Sequence, residues 1–214
     1  MKYVPALLVV VCVLRGTLGY GQINYPLSKF DRYIDKQVSQ NYNGKTSVDN
    51  YIQYAPAVAV YGLDLAGVKA KHNFRDRTFV MASSYLLMAV TVNTLKYTVN
   101  VRRPDSSAEN SFPSGHTATA FTGAHILFRE YKDTSPWIGI AGYATATATG
   151  ALRILNRRHW VSDVVVGAGT GILCAEAGYL LLPVFHRVVG IPNTLVIAPM
   201  VGNNTYGAGL AYTF

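Results

Sequence analysis

The sequence predicts an all-α protein, an antiparallel bundle of helices followed by a short C-terminal tail that resembles a β-hairpin. Three observations predict this fold class. Apolar stretches of helical length follow one another from about residue 50 to residue 186, short polar loops separate them, and only 14% of the residues are charged. Short loops join helices that run in opposite directions. The low share of charged residues favours helices that contact lipid, because soluble domains carry more charge.

The first 21 residues have the composition of an export signal. Lys2 gives a positive start, an apolar core runs from Val4 to Leu14, and small residues follow at Gly19 and Gly21. The apolar core is too short to cross a bilayer as a transmembrane helix. Residues 1–21 are therefore predicted to be a signal peptide, and an uncleaved membrane anchor is the alternative.

Residues 22–48 are predicted to form an amphipathic helix and a polar connector. In a helix over residues 27–40, the side chains of Phe30, Ile34 and Val38 fall on one face because they are four positions apart. Such a helix either lies along a membrane surface or packs on the bundle, and the sequence leaves both interpretations open.

The segment 49–188 is predicted to be a bundle of five helices, and their spacing favours a bundle embedded in a membrane. Two stretches without charge, Thr78–Leu95 and Thr134–Leu152, have about the length that a bilayer requires. Asp64 and Glu176 interrupt two of the other helices, so a soluble periplasmic bundle is the alternative. The predicted helices cover about 50–69, 77–99, 115–130, 136–154 and 160–186.

The C-terminal residues 189–214 differ from the rest of the chain. Residues 195–197 and 206–212 have strand-like composition on either side of the turn signal at Asn203 and Asn204. They predict a β-hairpin-like tail, to which the sequence assigns no function.

The charge balance favours an anionic partner. The formal net charge is +8, and the cations fall in short loops and motifs rather than in one continuous basic run. This distribution suits a phosphorylated lipid or a membrane surface and argues against nucleic acid. No obligate protein partner is predicted.

Three short motifs bring together residues that can bind and transfer a phosphoryl group. Because neighbouring helices are antiparallel, all three motifs are expected at the same end of the bundle. The motifs are Lys96 with Arg103-Pro104, then Pro113-Ser114-Gly115-His116, then Arg153 with His159 and Asp163.

The cationic residues of these motifs match the needs of a phosphate site. Arginines such as Arg103 and Arg153 bind phosphate oxygens through two parallel hydrogen bonds, and Lys96 adds a point charge. Ser114 and Gly115 begin a predicted helix, where backbone amides and the helix dipole favour an anion. Three fixed cations would do the work that a metal ion does in other phosphoryl-transfer sites.

Two histidines and one aspartate supply the reactive groups. His159 and Asp163 are four residues apart, hence on one face of a helix, where the carboxylate fixes the tautomer of the imidazole. The other ring nitrogen is then free to act as a nucleophile. His116 enters from another helix and is placed to protonate the leaving oxygen and later to activate water.

In this order the motifs resemble those of the type 2 phosphatidic acid phosphatase and vanadium haloperoxidase superfamily, over roughly Asp49 to Leu182. The resemblance implies a helical core of that kind, a phosphohistidine intermediate on His159 and proton transfer by His116. It implies no metal and no other cofactor. This chain has Leu152 where the family usually has serine before the arginine of the third motif. The phosphate ligands that the resemblance implies are Lys96, Arg103, Ser114, Gly115 and Arg153, with Asp163 orienting the nucleophile.

The expected function is that of a phosphatase acting on a phosphate monoester or diphosphate of a lipid. Phosphatidic acid, phosphatidylglycerol phosphate, undecaprenyl pyrophosphate and lipid A are the candidate substrates. The expected location is the inner membrane of a bacterial cell envelope, with the active site facing the periplasm. The alternatives are a soluble periplasmic acid phosphatase for small phosphomonoesters, a vanadate-dependent haloperoxidase and a non-catalytic protein that binds anionic lipid. An oriented nucleophile argues against the last, because binding alone does not need one.

Overall fold

The computed structural model describes residues 23–24, 27–189, 195–202 and 205–212. The predicted signal peptide, residues 1–21, lies outside the described residues. The chain divides into two compact units, Met1–Leu180 and Leu181–Phe214. The other predicted boundaries, at residues 22, 49 and 189, stay predictions.

The described part of the chain is built from helices, as the sequence predicts, with seven of them in the ranges above. Two strands of two residues each, β1 (Ile23–Asn24) and β2 (Val99–Asn100), pair in parallel beside the bundle. The helices are α1 (Lys29–Asn41), α2 (Asp49–Ile52), α3 (Ala55–Leu65), α4 (Phe74–Thr98), α5 (Gly115–Tyr131), α6 (Pro136–Leu155) and α7 (Val161–Val189).

The prediction of one continuous helix over residues 50–69 is wrong. The structure has the short helix α2, which ends at Ile52, and a separate helix α3, which begins at Ala55. Pro56 explains the break, because a proline ring collides with the carbonyl group four residues earlier, here that of Ile52, and lacks the amide hydrogen. Because of this break, Asp49 and Asn50 lie in the short separate helix α2.

Helix α5 lies at the centre of the bundle, in contact with α3, α4 and α6. Its buried side chains are mostly small, among them Ala118, Ala120 and Ala124, which are fully buried. Small side chains let the neighbouring helices approach closely. Ser114 caps the first turn of α5 by accepting a hydrogen bond from the backbone amide of Thr117.

Helix α7 approaches α5 through two glycines. A Cβ atom on Gly167 would lie 2.6 Å from the carbonyl oxygen of Ser114, and one on Gly171 would lie 2.5 Å from that of Ala118. Both distances are far shorter than a van der Waals contact. The four-residue spacing of these glycines in the sequence therefore marks a real close approach of two helices.

Two helices of the described part of the chain are long and apolar enough to cross a membrane. They are α4, over Phe74–Thr98, and α7, over Val161–Val188. Helix α4 contains the predicted stretch Thr78–Leu95. The predicted stretch Thr134–Leu152 lies largely in α6, which is not among the described helices that meet this standard.

The C-terminal hairpin is confirmed. Strands β3 (Leu195–Gly202) and β4 (Thr205–Tyr212) pair antiparallel, with Leu195 opposite Tyr212 and Gly202 opposite Thr205. Asn203 and Asn204, which carry the turn signal in the sequence, separate the two strands and lie outside the described residues.

We predict that Gly171→Ala lowers the free energy of unfolding by about 1–3 kcal/mol, because the added methyl group must push α7 away from α5. Thermal unfolding in detergent measures the change. Gly169→Ala is the matched control: a Cβ atom there meets nothing within 4 Å, so the helix should gain slightly in stability. Equal stability of the two variants would contradict the close approach of α5 and α7.

Candidate active site

The structure brings the three motifs to one end of the bundle, as predicted. Lys96 lies in the last turn of α4, Ser114 at the start of α5, and Arg153 in the last turn of α6. His159 lies in the loop between α6 and α7, and Asp163 in the first turn of α7.

Asp163 is the point at which the second and third motifs meet. Its side chain is fully buried, and Oδ2 accepts hydrogen bonds from Ser111 Oγ at 2.5 Å and from the backbone amide of Trp160 at 2.9 Å. The same oxygen lies 3.5 Å from His159 Nδ1. The backbone carbonyl of Asp163 accepts from the amide of Ser114 at 3.0 Å. Asp163 thus fixes the position of the start of α5 relative to the imidazole of His159.

His159 is buried and oriented. Only 2% of the residue is exposed, and Nδ1 faces both Asp163 and Ser111 Oγ, each at 3.5 Å. Nε2 is therefore the ring nitrogen left for chemistry. Burial lowers the pKa of His159, and the positive charges of Arg153 and Lys96 act in the same direction. The imidazole is therefore neutral at neutral pH, which is the nucleophilic form.

Two arginines at this end carry buried donors without acceptors. Among the described residues, neither Arg103 Nε nor Arg153 Nε has a hydrogen-bond partner, although both atoms are buried. Unpaired buried polar atoms are rare in proteins and need an explanation, of which a bound anion is one; Arg77 Nε and Nη1 and Asp163 Oδ1 are in the same state. Burial and the nearby charge of Arg153 lower the pKa of Arg103, so a bound anion would relieve the repulsion between the two cations.

Of the other three predicted phosphate ligands, Lys96 and Ser114 make hydrogen bonds within the protein. Lys96 Nζ donates to the backbone carbonyl of Asn110 at 2.7 Å, which holds the ammonium group against the loop before α5. The hydroxyl of Ser114 is engaged with Thr117 Oγ1 at 2.9 Å as part of the helix cap. A Cβ atom on Gly115 would lie 3.7 Å from Val92 Cγ1 and 4.0 Å from Lys96 Cε, so Gly115 packs at ordinary van der Waals distance beside the Lys96 side chain.

A cavity of about 540 Å³ opens at this end of the bundle. It reaches two of the predicted phosphate-binding arginines and His116, and its other walls come from the segment before α2 and from the end of α6. The cavity is lined by Lys45, Thr46, Ser47, Asp49, Asn50, Arg103, His116, Arg153, Asn156 and Arg158.

Asp49 holds Arg153 from one side. The carboxylate is almost fully buried and accepts from Arg153 Nη1 at 2.6 Å and from Asn156 Nδ2 at 3.2 Å. Asn156 is itself fixed by two hydrogen bonds with the backbone of Thr46, at 2.9 and 3.0 Å. Asp49 thus fixes Arg153 at Nη1, while the buried Nε of Arg153 has no hydrogen-bond partner among the described residues.

His116 is half-buried and contacts Asn50. Its Nε2 atom lies 2.9 Å from Asn50 Oδ1. Burial and the charge of Arg153 lower the pKa of His116 to about 4, with smaller effects in the same direction from His159 and Arg103. The negative charge of Asp49 acts in the opposite direction and favours the imidazolium.

Four residues of the site were missed by sequence reasoning: Asp49, Asn50, Ser111 and Asn156. The pair Asp49-Asn50 is the one that a pattern could have indicated, because two polar residues stand at the start of a segment that is otherwise apolar from Ala55 on. Ser111 and Asn156 carry no local signal. Among the described residues, no group of three or more histidine, cysteine, aspartate or glutamate side chains could hold a metal ion.

Comparison with known proteins agrees with the motifs. The model of the PAP2 (type 2 phosphatidic acid phosphatase) superfamily matches residues 77–187, just over half of the chain. A protein named lipid A 1-phosphatase, from Porphyromonas gingivalis, is 43% identical over 143 residues, which are 66% of this chain and 32% of the relative. The match thus spans about a third of that relative's length.

A solved structure shares the fold of this chain. The crystal structure of Aquifex aeolicus LpxE aligns with a TM-score of 0.51 and 24% identity, over 67% of this chain and 93% of that one. A transmembrane PAP2 type phosphatidylglycerolphosphate phosphatase from Bacillus subtilis aligns with a TM-score of 0.48 and 18% identity, over 88% and 97% of the two chains. With its family model matched over more than half its length, this chain belongs to the PAP2 superfamily.

Proposed function

We propose that this chain is a metal-independent phosphatase that hydrolyses a phosphate monoester or diphosphate of a membrane lipid through a phosphohistidine intermediate. The observation that carries the proposal is the pair of unpaired buried Nε–H groups on Arg103 and Arg153, at the end of the bundle where His159 is buried beside Asp163. Together they offer hydrogen-bond donors for a tetrahedral anion and a neutral nucleophile for its phosphorus atom.

In the first step, Nε2 of His159 attacks phosphorus and the bond between phosphorus and the ester oxygen breaks. Asp163 keeps Nδ1 of the ring oriented and stabilises the positive charge that the ring gains. The leaving oxygen takes a proton from the imidazolium of His116, which forms because the negative charge of the bound phosphate, together with Asp49, raises the pKa of this ring above its value of about 4 in the free site. Arg103, Arg153 and Lys96 stabilise the phosphoryl group in the transition state.

In the second step, His116 is neutral and takes a proton from water. The resulting hydroxide attacks phosphorus, the bond between phosphorus and Nε2 breaks, and inorganic phosphate leaves. His116 regains its proton and His159 its lone pair, so the site returns to its starting state.

The proposed substrate is a lipid because the family and the apolar helices point in that direction. Helices α4 and α7 are long and apolar enough to cross a membrane. The similarity to a lipid A 1-phosphatase supports lipid A among the candidates, beside phosphatidic acid, phosphatidylglycerol phosphate and undecaprenyl pyrophosphate. The proposed location is the inner membrane with the site facing the periplasm, which the predicted export signal supports.

We predict that the purified protein releases phosphate from at least one of these four lipids in the presence of a chelator. His159→Ala should lower kcat at least about 10³-fold, because the nucleophile is lost. His186→Ala, at an exposed histidine near the end of α7, is the control and should keep full activity. Turnover by His159→Ala at the wild-type rate, or no turnover of any of the four lipids by the wild type, would contradict the proposal.

We predict that Asp49→Asn shifts the alkaline limb of the kcat/KM profile to lower pH, by about one unit. Asparagine keeps the shape of the side chain but removes the charge that favours the imidazolium of His116, so the general acid loses its proton at lower pH. Ionisation of the substrate is the same for both enzymes and does not affect the comparison. Asp105→Asn, which removes the partner of Arg158, is the control. An unchanged or upward shift in Asp49→Asn would rule out this role.

We predict that a cysteine introduced at Ser107, in the loop of the motif end, reacts with a membrane-impermeant maleimide in intact cells freed of their outer membrane. A cysteine at Asp133, in the turn at the opposite end of α5, should react only after the membrane is broken. Both positions are exposed. The reverse pattern would place the site on the cytoplasmic side.

A further inference from the structure

Helix α1 exposes a face that carries aromatic and basic side chains. Phe30 and Tyr33 are 59% and 58% exposed, and the side chains of Lys29, Arg32 and Lys36 lie around them, also exposed. Exposed aromatic residues beside cations are typical of helices that lie in the interface of an anionic membrane. The two acidic residues of α1 lie on its other side, so no negative charge opposes such binding.

The inner face of α1 holds the loop that carries the proposed nucleophile. Asp31 is almost fully buried and its Oδ1 accepts from the backbone amide of Ser162 at 2.9 Å. Asp35 pairs with Arg157 at 2.7 and 3.1 Å. These two contacts lie on either side of His159 in the sequence: Asp35 joins α1 to the loop between α6 and α7, and Asp31 joins it to the first turn of α7.

The packing of α1 against this loop is close. A residual cavity of only about 10 Å³ lies between them, and Ile34, Asp35 and His159 are among its walls. Helix α1 thus lies beside His159, across this small cavity. A change in how α1 docks would change the position of the ring.

The segment before α1 pairs with the segment directly after α4, so α1 begins near the end of α4. Ile23 and Asn24 pair with Val99 and Asn100, directly after the last residue of α4. Lys29 follows Asn24 by five residues, which span at most about 17 Å when extended. Tyr97, in the last turn of α4, is 83% exposed, and aromatic residues at the end of a spanning helix mark the membrane interface.

We propose that the outer face of α1 binds the surface of an anionic membrane and that this binding holds the nucleophile loop in place through Asp31 and Asp35. Phe30 and Tyr33 enter the headgroup region, while Lys29, Arg32 and Lys36 contact anionic headgroups. The inference rests on the proposed function for its link to catalysis. The membrane contact itself does not depend on that function.

The double variant Phe30→Ser/Tyr33→Ser tests the proposal. We expect kcat/KM to fall about tenfold for a phosphorylated lipid in vesicles that contain anionic lipid, because two apolar contacts with the membrane are lost. Hydrolysis of a short water-soluble phosphate ester in detergent should be unchanged. Trp137→Ser removes an aromatic residue that is 73% exposed at the opposite end of the bundle, and it should affect neither substrate. Asp35→Asn breaks the contact with the loop and should slow both substrates.

Two outcomes would overturn the proposal: an equal loss on both substrates, which makes α1 purely structural, or no loss on either. A readout without catalysis separates this inference from the proposed function. In proteoliposomes, Phe30→Trp should add fluorescence that brominated lipid quenches, more strongly in anionic than in zwitterionic vesicles, relative to the parent with its two tryptophans. If the wild type hydrolyses no phosphate ester, the proposed function is wrong. The quenching experiment then still shows whether α1 contacts the membrane. Unquenched emission would reject it.

Discussion

The buried carboxylate of Asp163 is the interaction on which the rest of the site depends. A buried charge is costly unless hydrogen bonds replace its water, and here Ser111 and the amide of Trp160 donate to one oxygen while His159 lies beside it. The backbone of the same residue holds the first residue before α5. Because one residue makes all these contacts, the orientation of the imidazole and the start of α5 cannot vary independently.

On the opposite wall of the site, acidic side chains neutralise some of the arginines but not all of them. Arg153 is partly neutralised by Asp49, and Arg158 by Asp105, whereas Arg103 lies near other cations. The donors that stay unpaired are the Nε atoms of Arg103 and Arg153. These atoms support the proposal that a phosphate group binds here, because an anion would supply both negative charge and hydrogen-bond acceptors, and Asp49 fixes the position of Arg153.

Much of this arrangement could be predicted from the sequence, for reasons that are local. Apolar stretches with short loops determine that the helices alternate in direction, and this alone brings Lys96, Ser114 and Arg153 to one end. The spacing of Gly167 and Gly171 predicts a close approach of α7 to another helix, and the structure identifies that helix as α5. The Asn203-Asn204 turn signal predicts the C-terminal hairpin.

The remaining features depend on contacts between distant residues, which no local pattern encodes. Asp49 and Arg153 are 104 positions apart, and Ser111 and Asp163 are 52 apart. Pro56 is visible in the sequence, and its effect is to end the helix before it. The prediction of one long helix did not include this effect and therefore lacked the short helix α2 that carries Asp49 and Asn50.

The central claim is that Asp163 orients His159 so that Nε2 attacks phosphorus. It is tested most directly by trapping the phosphoenzyme from a labelled substrate and mapping the phosphate by mass spectrometry and NMR. The account predicts a phosphate on Nε2 of His159. A phosphate on Nδ1, on His116 or on Ser114 would contradict it.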